Sequence, residues 1–68
     1  MNGFYYNNTF ISINPNLIEE FKKLTRDTDE SVIREFQSII STLDENAPVE
    51  QIKVAIEEEL QTQIEDLG

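Results

Sequence analysis

The residues that could do chemistry in this chain are almost all carboxylates. Asp27, Asp29 and Ser31 alternate in the way that the first oxygen ligands of a calcium loop do. That loop also needs Gly at its sixth position and Glu at its twelfth, and here those positions hold Val32 and Ser38. The triplet therefore reads as the cap of a helix. Glu57, Glu58 and Glu59 place three carboxylates side by side. On a helix, neighbouring residues point about 100° apart, so the three cannot converge on one metal or one proton. The chain has no Cys and no His, which removes thiol chemistry, the commonest metal ligand and the usual general base near neutral pH. No catalytic, metal or cofactor residue is therefore assigned, and the expectation is a protein that is not an enzyme. Carboxylates can instead occupy the sites of phosphates opposite Arg and Lys. On that basis Glu50, Glu57, Glu58, Glu59, Glu65 and Asp66 are the candidate partner-binding residues. Tyr5 and Phe10 join them as aromatic groups able to anchor an interface or stack on a base.

The charge fits a basic partner, and equally a solvated face that keeps the chain soluble. Fourteen Asp and Glu face five Lys and Arg, a net of −9 in 68 residues. Residues 1–43 carry six acids and four bases, a net of −2, and residues 44–68 carry eight acids and one base, a net of −7. A strongly negative surface attracts positive partners and repels nucleic acid. A length of 68 residues bounds the chain to one small domain, and a core of that size commonly gains from a second subunit. Nothing resembles a signal peptide or a membrane span, so the expected compartment is the cytoplasm. Asn7-Asn8-Thr9 matches the N-glycosylation pattern, which carries no meaning without secretion.

Two kinds of element must position these residues, giving an α+β fold of an N-terminal two-stranded ribbon and three amphipathic helices. Residues 1–13 hold the ribbon, 14–43 a helix pair and 44–68 an acidic C-terminal helix. Phe4, Tyr5, Tyr6, Phe10, Ile11 and Ile13 favour strands, and Asn7-Asn8 between them suits a two-residue hairpin turn. That register pairs Tyr6 with Thr9, Tyr5 with Phe10 and Phe4 with Ile11. Phe4, Tyr6, Ile11 and Ile13 then share the face that packs on the helices, and Tyr5 and Phe10 share the other. The first helix spans about Pro15 to Thr25, capped by Asn14, with Leu17, Ile18, Phe21 and Leu24 on one face and a Glu19–Lys23 pair outside. Thr28 or Asp29 caps the second, which runs to about Leu43 along Val32, Ile33, Phe36, Ile39, Ile40 and Leu43, with Glu30 and Arg34 paired outside. Pro48 opens the third, whose stripe is Val49, Ile52, Ile56, Leu60, Ile64 and Leu67. Acids at its C-terminal end oppose the helix dipole, so its last turn is expected to fray when unbound.

Phe10 to Leu24 resembles the strand and first helix of ribbon-helix-helix proteins, and Glu30 to Phe36 is similar to the start of their second helix. Together these cover about half the chain. The resemblance implies a dimer whose strands pair into a ribbon that enters the DNA major groove. Phe10 and Ser12 would face the groove, Ile11 and Ile13 the core, and residues 44–68 would form a toxin-binding arm as in many antitoxins of that family. The ribbon face carries no Arg or Lys, although phosphate neutralisation supplies most non-specific DNA affinity. Val54-Ala55-Ile56 followed by Glu57 to Leu60 also resembles a helix of acyl carrier proteins. Their phosphopantetheine-bearing Ser, preceded by Asp, is here Asn46 preceded by Glu45, so that attachment chemistry is missing.

The expected function is that of a small acidic inhibitor which neutralises a basic toxin, nuclease or nucleic-acid-binding protein, of antitoxin, immunity or phage-inhibitor type. Leu60, Ile64 and Leu67 would add apolar contact wherever the third helix is not consumed by the core. The alternative is a dimeric ribbon-helix-helix repressor, with Lys22, Lys23, Arg26 and Arg34 as its phosphate contacts. A third reading is a small subunit that self-associates through its aromatic ribbon.

Overall fold

The computed structural model describes residues 2–68 and contains an antiparallel hairpin followed by three helices. Strands β1 (Gly3–Tyr6) and β2 (Thr9–Ser12) pair in the expected register, Phe4 with Ile11, Tyr5 with Phe10 and Tyr6 with Thr9, extended by Gly3 with Ser12. The connecting residues Asn7 and Asn8 both have positive φ, 50° and 63°. A turn with two positive φ values has the twist of the flanking strands, and Asn tolerates that conformation. The ribbon buries Phe4, Ile11 and Ile13, half-buries Tyr6 and leaves Tyr5 and Phe10 on the outside.

Helix α1 (Pro15–Thr25) starts on Asn14, whose side chain accepts the Asn16 N–H at 3.0 Å. It ends on Arg26, which adopts the left-handed conformation at φ 59° and donates its N–H to the Lys22 carbonyl. Gly usually fills that position because it has no Cβ to clash. Helix α2 (Asp29–Ile40) is capped by Thr28, which accepts the Ser31 N–H at 3.2 Å, so Asp29 is left in the first turn, where its charge suits the helix dipole. Asp29 also accepts a hydrogen bond from the Lys22 ammonium, which ties the two helices across the turn. The contact raises the Lys22 pKa and lowers that of Asp29, chiefly through the hydrogen bond itself. The α1 pair differs from expectation: Glu19 lies 4.0 Å from Lys22 rather than pairing with Lys23. The Glu30–Arg34 pair forms at 3.3 Å.

Helix α2 stops at Ile40, three residues short of the expected end. Beyond it, Thr42 and Leu43 donate to the carbonyls of Ile39 and Ile40 in a tightened turn, and the Ser41 and Thr42 hydroxyls bond the carbonyls of Ser38 and Ile39. Local side-chain bonds of this kind compete with the helical ladder. Leu43 still packs against the core, so the apolar stripe outlasts the helix. Asp44 then caps a short turn by accepting the Asn46 N–H.

Helix α3 (Val49–Leu67) lies against both α1 and α2 and also meets β2. Its buried residues Ile52, Ile56, Leu60 and Ile64 recur every four positions, which makes one continuous stripe along the helix. They join Phe4, Ile11, Ile13, Ile18, Phe21, Val32, Phe36 and Ile40 in a single core, and among the described residues no polar or charged side chain is buried. The phenyl rings of Phe4 and Phe36 meet at 5.1 Å between centroids and hold the ribbon to α2. Three residues expected in the apolar stripes, Leu24, Val49 and Leu67, are exposed because each stripe outruns the surface that could cover it. Among the described residues no helix is long and apolar enough to cross a membrane.

Candidate partner-binding surface

The acids of α3 are arranged by the helical repeat. Glu50 and Glu57, Glu58 and Glu65, and Glu59 and Asp66 are each seven residues apart, about two turns, so each pair lies on one line along the helix. The three lines are about 100° apart and wrap the side of α3 away from its buried stripe. A partner resting on one side of the helix can therefore meet two of these lines but not all three.

The lines are not equivalent. Glu57 is half-buried and its Oε2 accepts the backbone N–H of Asn14 at 2.9 Å. That amide sits at the junction between β2 and α1, so Glu57 clamps the start of α1 onto the middle of α3. Lys53, the only base in α3, lies on the same flank one turn before Glu57. Glu57, first assigned to partner binding by sequence, thus has a structural bond, and its flank is partly neutralised. Glu57→Lys should cost about 1 kcal/mol of stability because the Asn14 amide loses its acceptor, while Glu57→Gln, which keeps a carbonyl oxygen there, should be close to neutral. Urea unfolding of the two variants measures the difference. Equal stability would show that the bond contributes nothing.

The opposite flank faces α2 and carries no base from α3. The Gln63 side-chain amide donates to Glu59 and to Glu35 of α2, both at 3.0 Å. One NH2 group therefore gathers two carboxylates from different helices. Glu58 and Glu65 on the outer line are exposed, and Glu65 accepts from Gln61 at 3.4 Å. Glu35 and Gln63 escaped the sequence reading. The four-residue spacing of Glu59 and Gln63 was visible, but nothing in the sequence says which flank of α3 meets α2. Among the described residues no group of three or more acids is arranged to hold a metal ion.

The apolar part of the expected surface is smaller than the sequence suggested. Leu60 and Ile64 are buried, and only Leu67, 53% exposed, remains outside. The aromatic part is present. Tyr5 is 75% exposed and Phe10 47%, with their rings edge-to-face at 5.2 Å. Phe10 also leans over Gly3, whose missing side chain leaves room for the ring. Of the five cations, Lys22 and Arg34 are paired with acids, which leaves Lys23, Arg26 and Lys53 outside the ion pairs found among the described residues. No protein-family model matches the chain, and no curated protein or solved structure is significantly similar to it.

Proposed function

We propose that the chain is a small acidic binding protein that covers a basic surface on another protein and blocks it. The observation that carries this reading is the group of acids Glu58, Glu65, Glu59, Asp66 and Glu35. It spans α3 and α2, has no base from α3 within it, and has two of its carboxylates held in place by Gln63. Holding carboxylates before binding lowers the entropy cost of matching them to Arg and Lys. The partner class is a protein whose own ligand is polyanionic, such as a nuclease, toxin or nucleic-acid-binding protein. The groove-binding repressor reading has less support, because the outer ribbon face bears no cation and two of the four cations it would use are already paired.

The test is a low-salt pull-down from source-cell lysate, with nuclease treatment, comparing the native chain with Glu58→Lys/Glu65→Lys. Both residues are exposed and neither contributes to the core, so the variant should stay folded by circular dichroism. Capture of a basic protein should survive nuclease, reverse with salt and weaken by at least about tenfold in the variant. Undiminished capture by the variant would overturn the assignment, and recovery of specific DNA would favour the repressor.

A further inference from the structure

The charge map has a second feature: residues 1–18, comprising the whole ribbon and the start of α1, contain no charged side chain. All 19 Asp, Glu, Lys and Arg residues lie between Glu19 and the C-terminus. The fold gathers the ribbon residues of this segment at one place, with Phe4, Ile11 and Ile13 turned into the core and Tyr5 and Phe10 turned out. Flanking that aromatic pair on the outer face are Gly3, roofed by the Phe10 ring, and the exposed, uncharged Ser12. Each strand of the two-stranded sheet also has an unpaired outer edge, and neither carries the Lys or Pro with which proteins commonly guard such edges.

We propose that this outer ribbon face, centred on Tyr5 and Phe10, is the contact surface for a second copy of the chain. Charge selects the occupant. Two copies carrying −9 each repel through every acidic surface, and the ribbon is where they can touch without desolvating like charges. A two-fold contact brings the same patch to itself, so a neutral, aromatic patch is self-compatible where the acidic helix is not. The small single core also leaves the monomer with stability to gain.

Area sets the strength. Aromatic side chains bury about 150–250 Å² when enclosed, so at 75% and 47% exposure Tyr5 and Phe10 offer roughly 250 Å² per copy. That is well below the roughly 800 Å² per partner of a stable complex. The dimer is therefore weak and forms only at high protein concentration.

Sedimentation equilibrium of the full chain between about 20 μM and 2 mM, in low and high NaCl, tests this. The apparent mass should rise from 7.9 kDa toward twice that value. Association should tighten several-fold as salt screens the repulsion between copies. Salt has the opposite effect on capture of a basic partner, so the two readings fail separately. Tyr5→Glu and Ser12→Glu each place a charge on the outer face without touching the core, and each should abolish the rise in mass while the thermal midpoint measured at low concentration stays near that of the native chain. A mass of one chain throughout at high salt would overturn the proposal, as would association that weakens with salt or survives both variants. Protection of the Tyr5 ring only in the presence of a basic protein, with the free chain monomeric, would also overturn it and give the ribbon to that partner.

Discussion

Phe36→Ala is expected to remove most of the stability of this domain. Phe36 is wholly buried, and its ring lies against Phe4, the contact through which the ribbon meets α2. Truncating a buried Phe costs about 3–5 kcal/mol, because apolar transfer energy is lost and the cavity closes only in part. A chain of 68 residues has a total of roughly 3–10 kcal/mol to lose, taking about 0.05–0.15 kcal/mol per residue. Collapse of the site is also hindered, since its walls come from the ribbon and from the helices and neither can move inward alone. Urea unfolding followed by far-ultraviolet circular dichroism should show a midpoint displaced to near zero denaturant, or no native baseline. Phe10→Ala makes a useful contrast, because Phe10 is half outside and should cost much less. A loss below about 1 kcal/mol for Phe36→Ala would mean that ribbon and helices do not share one cooperative core.

The elements that were legible in the sequence are those in which one periodicity dominates. The hairpin register follows from two Asn between strand-forming residues, since a two-residue turn leaves one pairing that puts Phe4, Ile11 and Ile13 on the same face. The stripe of α3 follows from Ile52, Ile56, Leu60 and Ile64. The end of α2 was misread because Leu43 keeps the apolar phase although the Thr42 and Leu43 amides bond three residues back and have left the helical ladder. Periodicity reports which side chains are needed inside, and it does not report where the backbone leaves the helix. The helix boundary at Arg26 had no Gly to mark it, because an Arg takes up the left-handed conformation instead.

The candidate surface was legible as a list and illegible as a shape. Counting charges locates the acids in the C-terminal third, but Glu57 and Glu59, two residues apart, have opposite fates. Glu57 turns toward the β2–α1 junction and is bonded to Asn14, whereas Glu59 turns toward α2 and is joined through Gln63 to Glu35. Asn14 is 43 residues from Glu57 and Glu35 is 28 from Gln63, and no local pattern encodes either contact. Their consequence for experiment is direct. A triple reversal of Glu57, Glu58 and Glu59 would mix loss of a bond between elements with loss of binding charge, whereas Glu58 and Glu65 are exposed and Glu65 bonds only Gln61 of its own helix.

Gly3→Ala should be the most damaging change of a single methyl group. Gly3 has φ of 157°, at the edge of the range that L side chains rarely adopt. A Cβ added there would stand 2.0 Å from the carbonyl oxygen of Ile11 and 3.0 Å from both the Ile11 carbonyl carbon and the Phe10 ring. The ring could rotate away, but the carbonyl belongs to the backbone of β2, beside the pairs that Gly3 makes with Ser12 and Asn2 makes with Ile13. Relieving the clash therefore means opening the base of the ribbon. The expected cost is about 2–3 kcal/mol or more, as for other residues forced into an incompatible backbone conformation. Because Phe4, Ile11 and Ile13 are core residues, the loss cannot stay within the hairpin. Hydrogen exchange should show the Ile13 amide, which donates to Asn2 at 2.9 Å, losing protection first, and the thermal midpoint should fall for the whole chain. An unchanged midpoint with the Ile13 amide still protected would show that the strand ends can part at Gly3 without cost, and the ribbon would then owe its place to Phe4 and Phe36 alone.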